Sequence, residues 1–205
     1  MIDVYCVKVG EKYDRSFVEK LKDSVSKHLT VEHNFHCVTD RPEKDYDKLV
    51  SYPYLTGVFH KLSLFENVGK NLYFDLDLEI NGNIDFLTYN EKDFKHLHVL
   101  DSTKWVNPSI TSGERFITRN NTFINSSVMR WHDAQSIFKK FMDKRDLYLR
   151  LYSGIDRFIY NERETLGLYY KTFTNNKISS WLEGVEKNTI MIYNGKYNDI
   201  RPEHN

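Results

Sequence analysis

Apolar and polar residues along the first 40 positions follow a pattern that predicts a strand, a helix and a second strand. Residues 2–9 are rich in β-branched side chains and alternate, which is typical of a strand. Asp14 is placed to cap a helix, and the apolar positions after it follow the helical period: Phe17, Val18, Leu21, Val25 and Leu29. Residues 34–38 form the second apolar run. This order predicts an α/β sheet with at least one parallel strand pair.

The middle of the chain contains one strong strand pattern, over residues 71–75. A polar stretch at 41–56, which we interpret as a loop, and an imperfect helical pattern over 58–65 precede it. Turn-forming residues at 81–83 and a short helical turn over 84–87 follow it.

The second half of the chain mixes strand and helix patterns without an internal repeat or a linker. Strands are predicted at 97–100, 127–131 and 188–193, and helices at 134–151 and 156–160. The polar residues 194–205 are predicted to form a loop. We therefore expect residues 1–205 to form one domain.

Composition narrows the classes of function. Lys plus Arg and Asp plus Glu both total 29 in 205 residues, and this balance argues against a nucleic-acid partner. No apolar stretch is long enough to span a membrane, and the N-terminus lacks the pattern of a signal peptide. Cys6 and Cys37 both lie in apolar runs. Free thiols in a reducing, cytoplasmic setting are expected, and a disulfide between adjacent strands is the alternative.

Two carboxylates, Asp75 and Asp77, end the apolar run at 71–75. Side chains two residues apart on a strand point the same way, so these like charges should repel unless a cation or a proton lies between them. Oxygen ligands favour Mg²⁺ or Mn²⁺ over Zn²⁺. An ion held by only two carboxylates keeps positions for substrate phosphates, which predicts a metal–diphosphate site.

Six segments in order then support a family resemblance. They are residues 4–9, 35–40, 59–65, 73–85, 123–131 and 153–159. Together they resemble the GT-A glycosyltransferases, particularly the glycogenin-like and galactosyltransferase-like enzymes and their shorter phage and viral relatives. The fourth segment contains the Asp-x-Asp pattern of that family.

The resemblance implies a fold and a reaction. The fold is a single GT-A-like (Rossmann-like) α/β domain with a central mixed, mainly parallel sheet flanked by helices. Residues 1–80 are its nucleotide-binding half and 81–205 its sugar and acceptor half. The reaction is transfer of a sugar from a nucleoside diphosphate sugar, with UDP as the expected nucleotide, to a hydroxyl of a glycan or protein acceptor. If the chain is viral, the host cytoplasm is the expected location.

The resemblance also implies roles for particular residues. Asp75 and Asp77 would bind Mn²⁺ or Mg²⁺, and Asn194 stands where the family commonly has a metal-binding His. Asp156 and Lys61 are the candidate catalytic residues. The candidate substrate-binding residues are Val7, Thr39, Asp40, Lys61, Asp75, Asn125, Ser126, Gly195 and Lys196.

Two other functions remain open at the level of sequence. A phosphotransferase of the haloacid-dehalogenase type also places Asp-x-Asp after an apolar strand, but usually on the first strand. A nucleotide- or carbohydrate-binding module without turnover is the non-enzymatic alternative, because Asn194 replaces the family His and the usual Gly-Asp-Gln segment is altered.

Overall fold

The computed structural model describes residues 1–88, 96–105, 122–174 and 176–193. The strands are β1 (Ile2–Lys8), β2 (His33–Thr39), β3 (Asp47–Leu49), β4 (Asn71–Phe74), β5 (Leu78–Ile80), β6 (Leu97–Asp101), β7 (Ile124–Trp131), β8 (Tyr170–Thr172), β9 (Ile178–Ser180) and β10 (Ile190–Ile192). The α-helices are α1 (Arg15–His28), α2 (Gln135–Asp143), α3 (Arg145–Leu151) and α4 (Ile155–Glu162). Helices of the 3₁₀ type cover Gly57–Glu66, Asp85–Leu87 and Trp181–Glu183.

Seven strands form one mixed sheet in the order β3-β2-β1-β4-β7-β6-β8. The pairs β2–β3, β1–β2, β1–β4 and β6–β8 are parallel, whereas β7 runs antiparallel to both of its neighbours. A smaller sheet has the order β5-β10-β9. The predicted fold class, a mixed and mainly parallel sheet flanked by helices, is therefore confirmed.

Helix α1 forms as the sequence predicts. The Asp14 carboxylate accepts a hydrogen bond from the backbone N–H of Ser16, which satisfies one of the N–H groups left unpaired at a helix start. Val18, Leu21 and Val25 are buried at helical spacing. They pack with Val4, Cys6 and other residues on one face of the main sheet.

A second apolar core covers the other face of the main sheet. Tyr5, the residue between Val4 and Cys6 on β1, belongs to this core together with apolar residues of α2, α3 and α4. Because side chains alternate along a strand, β1 supplies both cores from one continuous apolar run. The strand is thus buried on both sides, as expected for the centre of a parallel sheet.

Cys6 and Cys37 lie opposite each other on the neighbouring strands β1 and β2. Both side chains are buried and both thiols are free. This agrees with the expectation of free thiols.

The structure differs from several expectations about the elements. The predicted loop at 41–56 contains β3, whose polar sequence gives no strand signal and whose conformation depends on pairing with β2. The short strands β5, β8 and β9 were not predicted. The apolar strand expected at 71–75 ends at Phe74, one residue before the first carboxylate.

The helix predicted over 134–151 is divided at Lys144, which has φ −133° and ψ 34°. The division brings two rings onto a third: the ring centroids of Phe141 and Tyr148 lie 5.0 and 4.8 Å from that of Phe158. In a continuous helix these two residues would be about 10 Å apart along the axis. Packing against α4 therefore overrides the continuous helical pattern.

Within the described ranges, no helix has both the length and the apolar character needed to cross a bilayer.

Candidate active site

A cavity of about 560 Å³ lies at the carboxyl ends of β1 and β4, beside the start of β7. Ligands of open α/β sheets commonly bind at such an edge, and the volume is in the range of small-molecule sites. The described residues that line it are Val7, Val9, Lys12, Tyr13, Gly57, Val58, Lys61, Tyr73, Asp75, Leu76, Asp77, Asn125, Ser126, Ser127, Ser153, Gly154, Asp156, Arg157 and Leu182.

Residues 75–77 connect the main sheet to the smaller one and belong to neither strand, so strand alternation does not orient their side chains. The backbone instead holds them in place. The N–H of Asp75 donates to the carbonyl of Ser127 at 2.8 Å, and the carbonyl of Asp77 accepts from the N–H of Tyr193 at 2.8 Å. Asp75 and Asp77 therefore reach the same cavity through tertiary contacts, although the alternation argument was wrong.

Asp75 has a cationic partner within the chain. The Lys61 ammonium lies 2.7 Å from Oδ1 and 2.9 Å from Oδ2 of Asp75, and the Tyr73 hydroxyl donates to Oδ1 at 2.5 Å. The Lys61 side chain is only 7% exposed. Two neighbouring carboxylates repel unless a cation or a proton lies between them, and the buried Lys61 ammonium supplies part of this positive charge.

Asp77 is nearly fully buried and accepts a hydrogen bond from the Tyr13 hydroxyl at 3.1 Å. Burial and the neighbouring Asp75 charge raise the pKa of Asp77, and Lys61, Lys12 and Tyr13 offset the rise only in part. A carboxylate in this setting is stabilised by a further cation, so its chemistry fits a Mg²⁺ or Mn²⁺ ligand.

The protein's own ligands would be few. In the part of the chain that the structure describes, no group of three or more His, Cys, Asp or Glu side chains could hold a metal ion. A metal at Asp77 would therefore depend on oxygens from a bound ligand and water, as Mg²⁺ commonly does at phosphate sites.

Polar groups at the start of β7 form another wall of the cavity. Asn125 and Ser126, both predicted to contact a sugar, line it, and the Asn125 side-chain oxygen accepts from the N–H of Ser127 at 2.8 Å. The Ser126 hydroxyl lies 3.4 Å from the Lys61 ammonium. The structure thus places these two predicted residues beside the Lys61–Asp75 pair.

Asp156 enters the cavity from the first turn of α4. Burial raises the pKa of Asp156, although the positive charges of Arg157 and Lys61 oppose the rise. Space at this point depends on Gly154, because a Cβ on that residue would lie 2.8 Å from the Asp156 Oδ1 atom and 3.7 Å from an Arg157 guanidinium nitrogen. Glycine at position 154 therefore makes room for the Asp156 carboxylate.

Other predicted residues are placed differently. Val7 lines the cavity. The Thr39 hydroxyl is buried and accepts from the N–H of Arg41 at 3.2 Å, and Asp40 accepts from the N–H of Gly10 at 3.2 Å. Thr39 thus supports the turn after β2 and Asp40 the loop after β1, and their assignment as nucleotide contacts stays a prediction. Asn194, Gly195 and Lys196 lie outside the described residues.

Sequence reasoning assigned no role to several residues of the site. Lys12 and Tyr13 approach from the loop between β1 and α1, Leu182 from beyond β9, and Arg157 from α4. No motif marks Lys12 or Tyr13, since Tyr13 meets Asp77 across 64 positions. Tyr73 had a usable signal: it precedes Asp75 by two positions at the end of a strand.

Several solved structures to which this chain is similar are glycosyltransferases. This chain is similar to GlyE of Streptococcus pneumoniae TIGR4, with a TM-score of 0.65 and 11% identity. The match covers 96% of this chain and 56% of the GlyE chain. This chain is also similar to the galactosyltransferase LgtC in complex with donor and acceptor sugar analogs, with a TM-score of 0.59 and 12% identity. The match covers 95% of this chain and 87% of the LgtC chain. A third similar structure is a glycosyltransferase involved in glycosylation of the major capsid of PBCV-1, with a TM-score of 0.57 and 14% identity. The match covers 99% of this chain and 98% of that one.

These similarities establish a GT-A-like fold, and the chain spans little more than half of the GlyE chain. No protein-family model matches the sequence, and no curated protein matches it either.

Proposed function

We propose that this protein is a glycosyltransferase that moves a sugar from a nucleoside diphosphate sugar, with UDP as the expected nucleotide, to a hydroxyl of a glycan or protein acceptor. The observation that carries the proposal is the buried Asp77 carboxylate on the cavity wall, next to the Lys61–Asp75 ion pair. The GT-A-like fold and the position of the cavity at the carboxyl edge of the sheet support it.

The fold alone does not define a reaction, so the proposal depends on the charges in the cavity. Three carboxylates, Asp75, Asp77 and Asp156, share it with three cationic side chains, Lys12, Lys61 and Arg157. A diphosphate adds negative charge and requires a compensating cation. Because burial and Asp75 raise the pKa of Asp77, a divalent ion bound there would relieve the repulsion and neutralise part of the diphosphate charge.

Asp77 is our candidate for the principal metal ligand. Asp75 already has Lys61 and Tyr73 as partners, so it would share the metal less directly or hold the ribose. When bound, the metal ion would act as a Lewis acid on the phosphate oxygens of the leaving group.

The chain's own side chains would carry out the remaining tasks. Lys61 holds Asp75 in place and puts a positive charge beside the site where the leaving group forms. Asn125 and Ser126 offer donor and acceptor atoms for sugar hydroxyls. Asp156 would accept the proton of an acceptor hydroxyl or orient a sugar, and a raised pKa brings a carboxylate closer to the range of an effective base.

The proposal can be tested by incubating the protein with Mn²⁺ and a panel of nucleotide sugars and measuring released nucleoside diphosphate. We expect release from a preferred donor and its loss in Asp77→Ala. Asp23→Ala, an exposed carboxylate on α1, is the matched control and should retain activity. Wild-type turnover in Asp77→Ala would contradict the metal role.

Of the two alternatives, the phosphotransferase finds less support. In that mechanism one Asp would act as a nucleophile, yet Asp75 is paired with Lys61 and Tyr73. Three strands of the main sheet, β1 to β3, also precede β4, the strand that Asp75 follows in the chain. Nucleotide binding without release of diphosphate, across metals and acceptors, would instead favour a binding module.

A further inference from the structure

We propose that Lys12, on the loop between β1 and α1, binds the diphosphate of the nucleotide in this cavity. The inference rests on the proposed function and adds a residue that no sequence motif indicates.

The loop between β1 and α1 is held against the end of the sheet. Gly10 has φ 73°, a left-handed conformation that glycine adopts without strain. Its N–H donates to the Asp40 carboxylate at 3.2 Å, and its carbonyl accepts from the Lys8 ammonium at 3.3 Å. These contacts turn the chain at the carboxyl end of β1, and Lys12 and Tyr13 then line the cavity.

Tyr13 connects this loop to the proposed metal site. Its hydroxyl donates to Asp77 at 3.1 Å, and its ring packs against Phe17 with centroids 5.2 Å apart. The Lys12 ammonium lies 4.7 Å from the centroid of the Tyr13 ring. Lys12 therefore lies over the ring whose hydroxyl bonds Asp77, and both residues line the same cavity.

The three cationic side chains of the cavity differ in their surroundings. Lys61 is buried and within 3 Å of both Asp75 oxygens. Arg157 is half-buried beside Asp156. Lys12 is exposed, and a cation–π contact at an exposed site is weak enough to be exchanged for a phosphate oxygen.

The chemistry of Lys12 favours a phosphate as its ligand. An ammonium group on a flexible four-carbon stem acts as a point charge that can follow a phosphate oxygen, whereas a planar guanidinium suits fixed bidentate pairs. The carboxylate beside Lys12 is the one proposed to hold the metal, and metal and ammonium would together neutralise the two phosphates. Lys12 would thus contribute to binding the diphosphate and to stabilising it as it leaves.

The test measures binding rather than turnover. Titration of the wild-type protein with UDP, CDP and GDP in the presence of Mn²⁺ identifies the preferred diphosphate, which is then compared with its monophosphate. We expect Lys12→Met to weaken diphosphate binding about tenfold and monophosphate binding much less, because a charge-assisted hydrogen bond to the second phosphate is lost. The affinity of the variant should also depend less on salt.

Two further variants make the result specific. Lys12→Arg keeps the charge and should recover most of the affinity, whereas Lys20→Met, at an exposed position of α1, should bind like the wild type. Thermal unfolding by circular dichroism should give the same Tm for all of them.

The outcomes separate this inference from the proposed function. If the wild type binds a nucleoside diphosphate and Lys12→Met binds it equally well, the role of Lys12 is overturned and the proposed function stands. An equal loss for diphosphate and monophosphate also overturns it, because Lys12 would then act on the nucleoside or on the fold. If the wild type binds none of the three diphosphates with Mn²⁺, both proposals fail.

Discussion

Two partly buried ion pairs in this protein have similar distances and different surroundings. Arg15 on α1 meets Asp47 on β3 at 2.8 Å, and Lys61 meets Asp75 at 2.7 Å. The first pair joins a helix to the edge strand of the main sheet. The second lines the cavity. Their comparison shows how the environment of a carboxylate distinguishes a structural contact from a candidate site.

Backbone groups complete the bonding of Asp47. Its Oδ2 atom accepts from the N–H groups of Glu43 and Lys44 at 2.8 and 2.9 Å, and its side chain is fully buried. Burial alone would raise the pKa of Asp47, but the Arg15 guanidinium and the two N–H groups outweigh it and hold the pKa below its ordinary value. The charged form is well stabilised by the protein itself.

Asp75 has side-chain donors as its partners, and a second carboxylate, Asp77, lies two positions away. Burial and the Asp75 charge raise the pKa of Asp77. The Asp75–Asp77 pair is therefore incompletely neutralised by the folded chain, unlike Asp47. An incompletely neutralised, buried carboxylate in a cavity is the typical environment of a functional group, and a fully satisfied one is typical of structure.

The largest effect is expected from Lys61→Met. Loss of the ammonium leaves Asp75 and Asp77 without their buried cation, so turnover in the diphosphate-release assay should fall about 10²- to 10³-fold. The double variant Lys61→Met/Asp75→Asn should recover stability to urea but not activity. Full activity in the double variant would show that this pair is structural, like Arg15–Asp47.

A large effect on stability is expected from Asp47→Asn. The change leaves the Arg15 guanidinium without its charged partner, and the free energy of unfolding should fall by about 3 kcal/mol. Urea denaturation measures it, with the exposed neighbour Asp45→Asn as a control that should change little. At urea concentrations below its unfolding transition, Asp47→Asn should keep the wild-type turnover. A large loss of turnover there would contradict a purely structural role for the Arg15–Asp47 pair.

A smaller effect is expected from Gly154→Ala, which displaces the Asp156 carboxylate without removing it. The new Cβ would lie 2.8 Å from Oδ1, so the side chain has to shift. Activity should fall about tenfold, since small displacements of reacting groups are costly. At Gly82 a Cβ would meet Thr189 at an ordinary 3.6 Å, so Gly82→Ala should behave like the wild type. Equal activities of the two variants would argue against a role for Asp156.

The subtlest test is the opposite pH dependence of Asp77 and Asp47. Because the pKa of Asp77 is raised in the folded state, its contribution to stability is present below the ordinary Asp pKa of about 3.9 and is lost as pH rises through the raised value. The lowered pKa of Asp47 has the reverse effect: its contribution is present above about 3.9 and is lost as pH falls through the lowered value.

Urea unfolding of the wild type, Asp77→Asn and Asp47→Asn between pH 3 and pH 7 measures both effects. At pH 7, Asp77→Asn should be at least as stable as the wild type, and Asp47→Asn clearly less stable. A loss of stability in Asp77→Asn at pH 7 would mean that the protein satisfies both carboxylates in the same way.

Much of the fold follows from local patterns. The cap at Asp14 and the helical spacing of Val18, Leu21 and Val25 predict α1 because both signals lie within a few residues of one another. The β-branched, alternating pattern of residues 2–9 predicts strand β1 for the same reason. The break at Lys144 and the polar strand β3 have no local signal, since both depend on partners distant in the chain.

The candidate site likewise has features that follow from the local sequence and features that depend on tertiary contacts. Sequence by itself determined that Asp75 and Asp77 follow a buried strand and need a compensating charge, because the spacing and the charges are local properties. Only the tertiary structure decided that Lys61 pairs with Asp75, that Tyr13 bonds Asp77 and that Asp156 and Arg157 share their cavity. Such contacts join residues far apart in the chain, and their distances are set by how the sheet and helices pack.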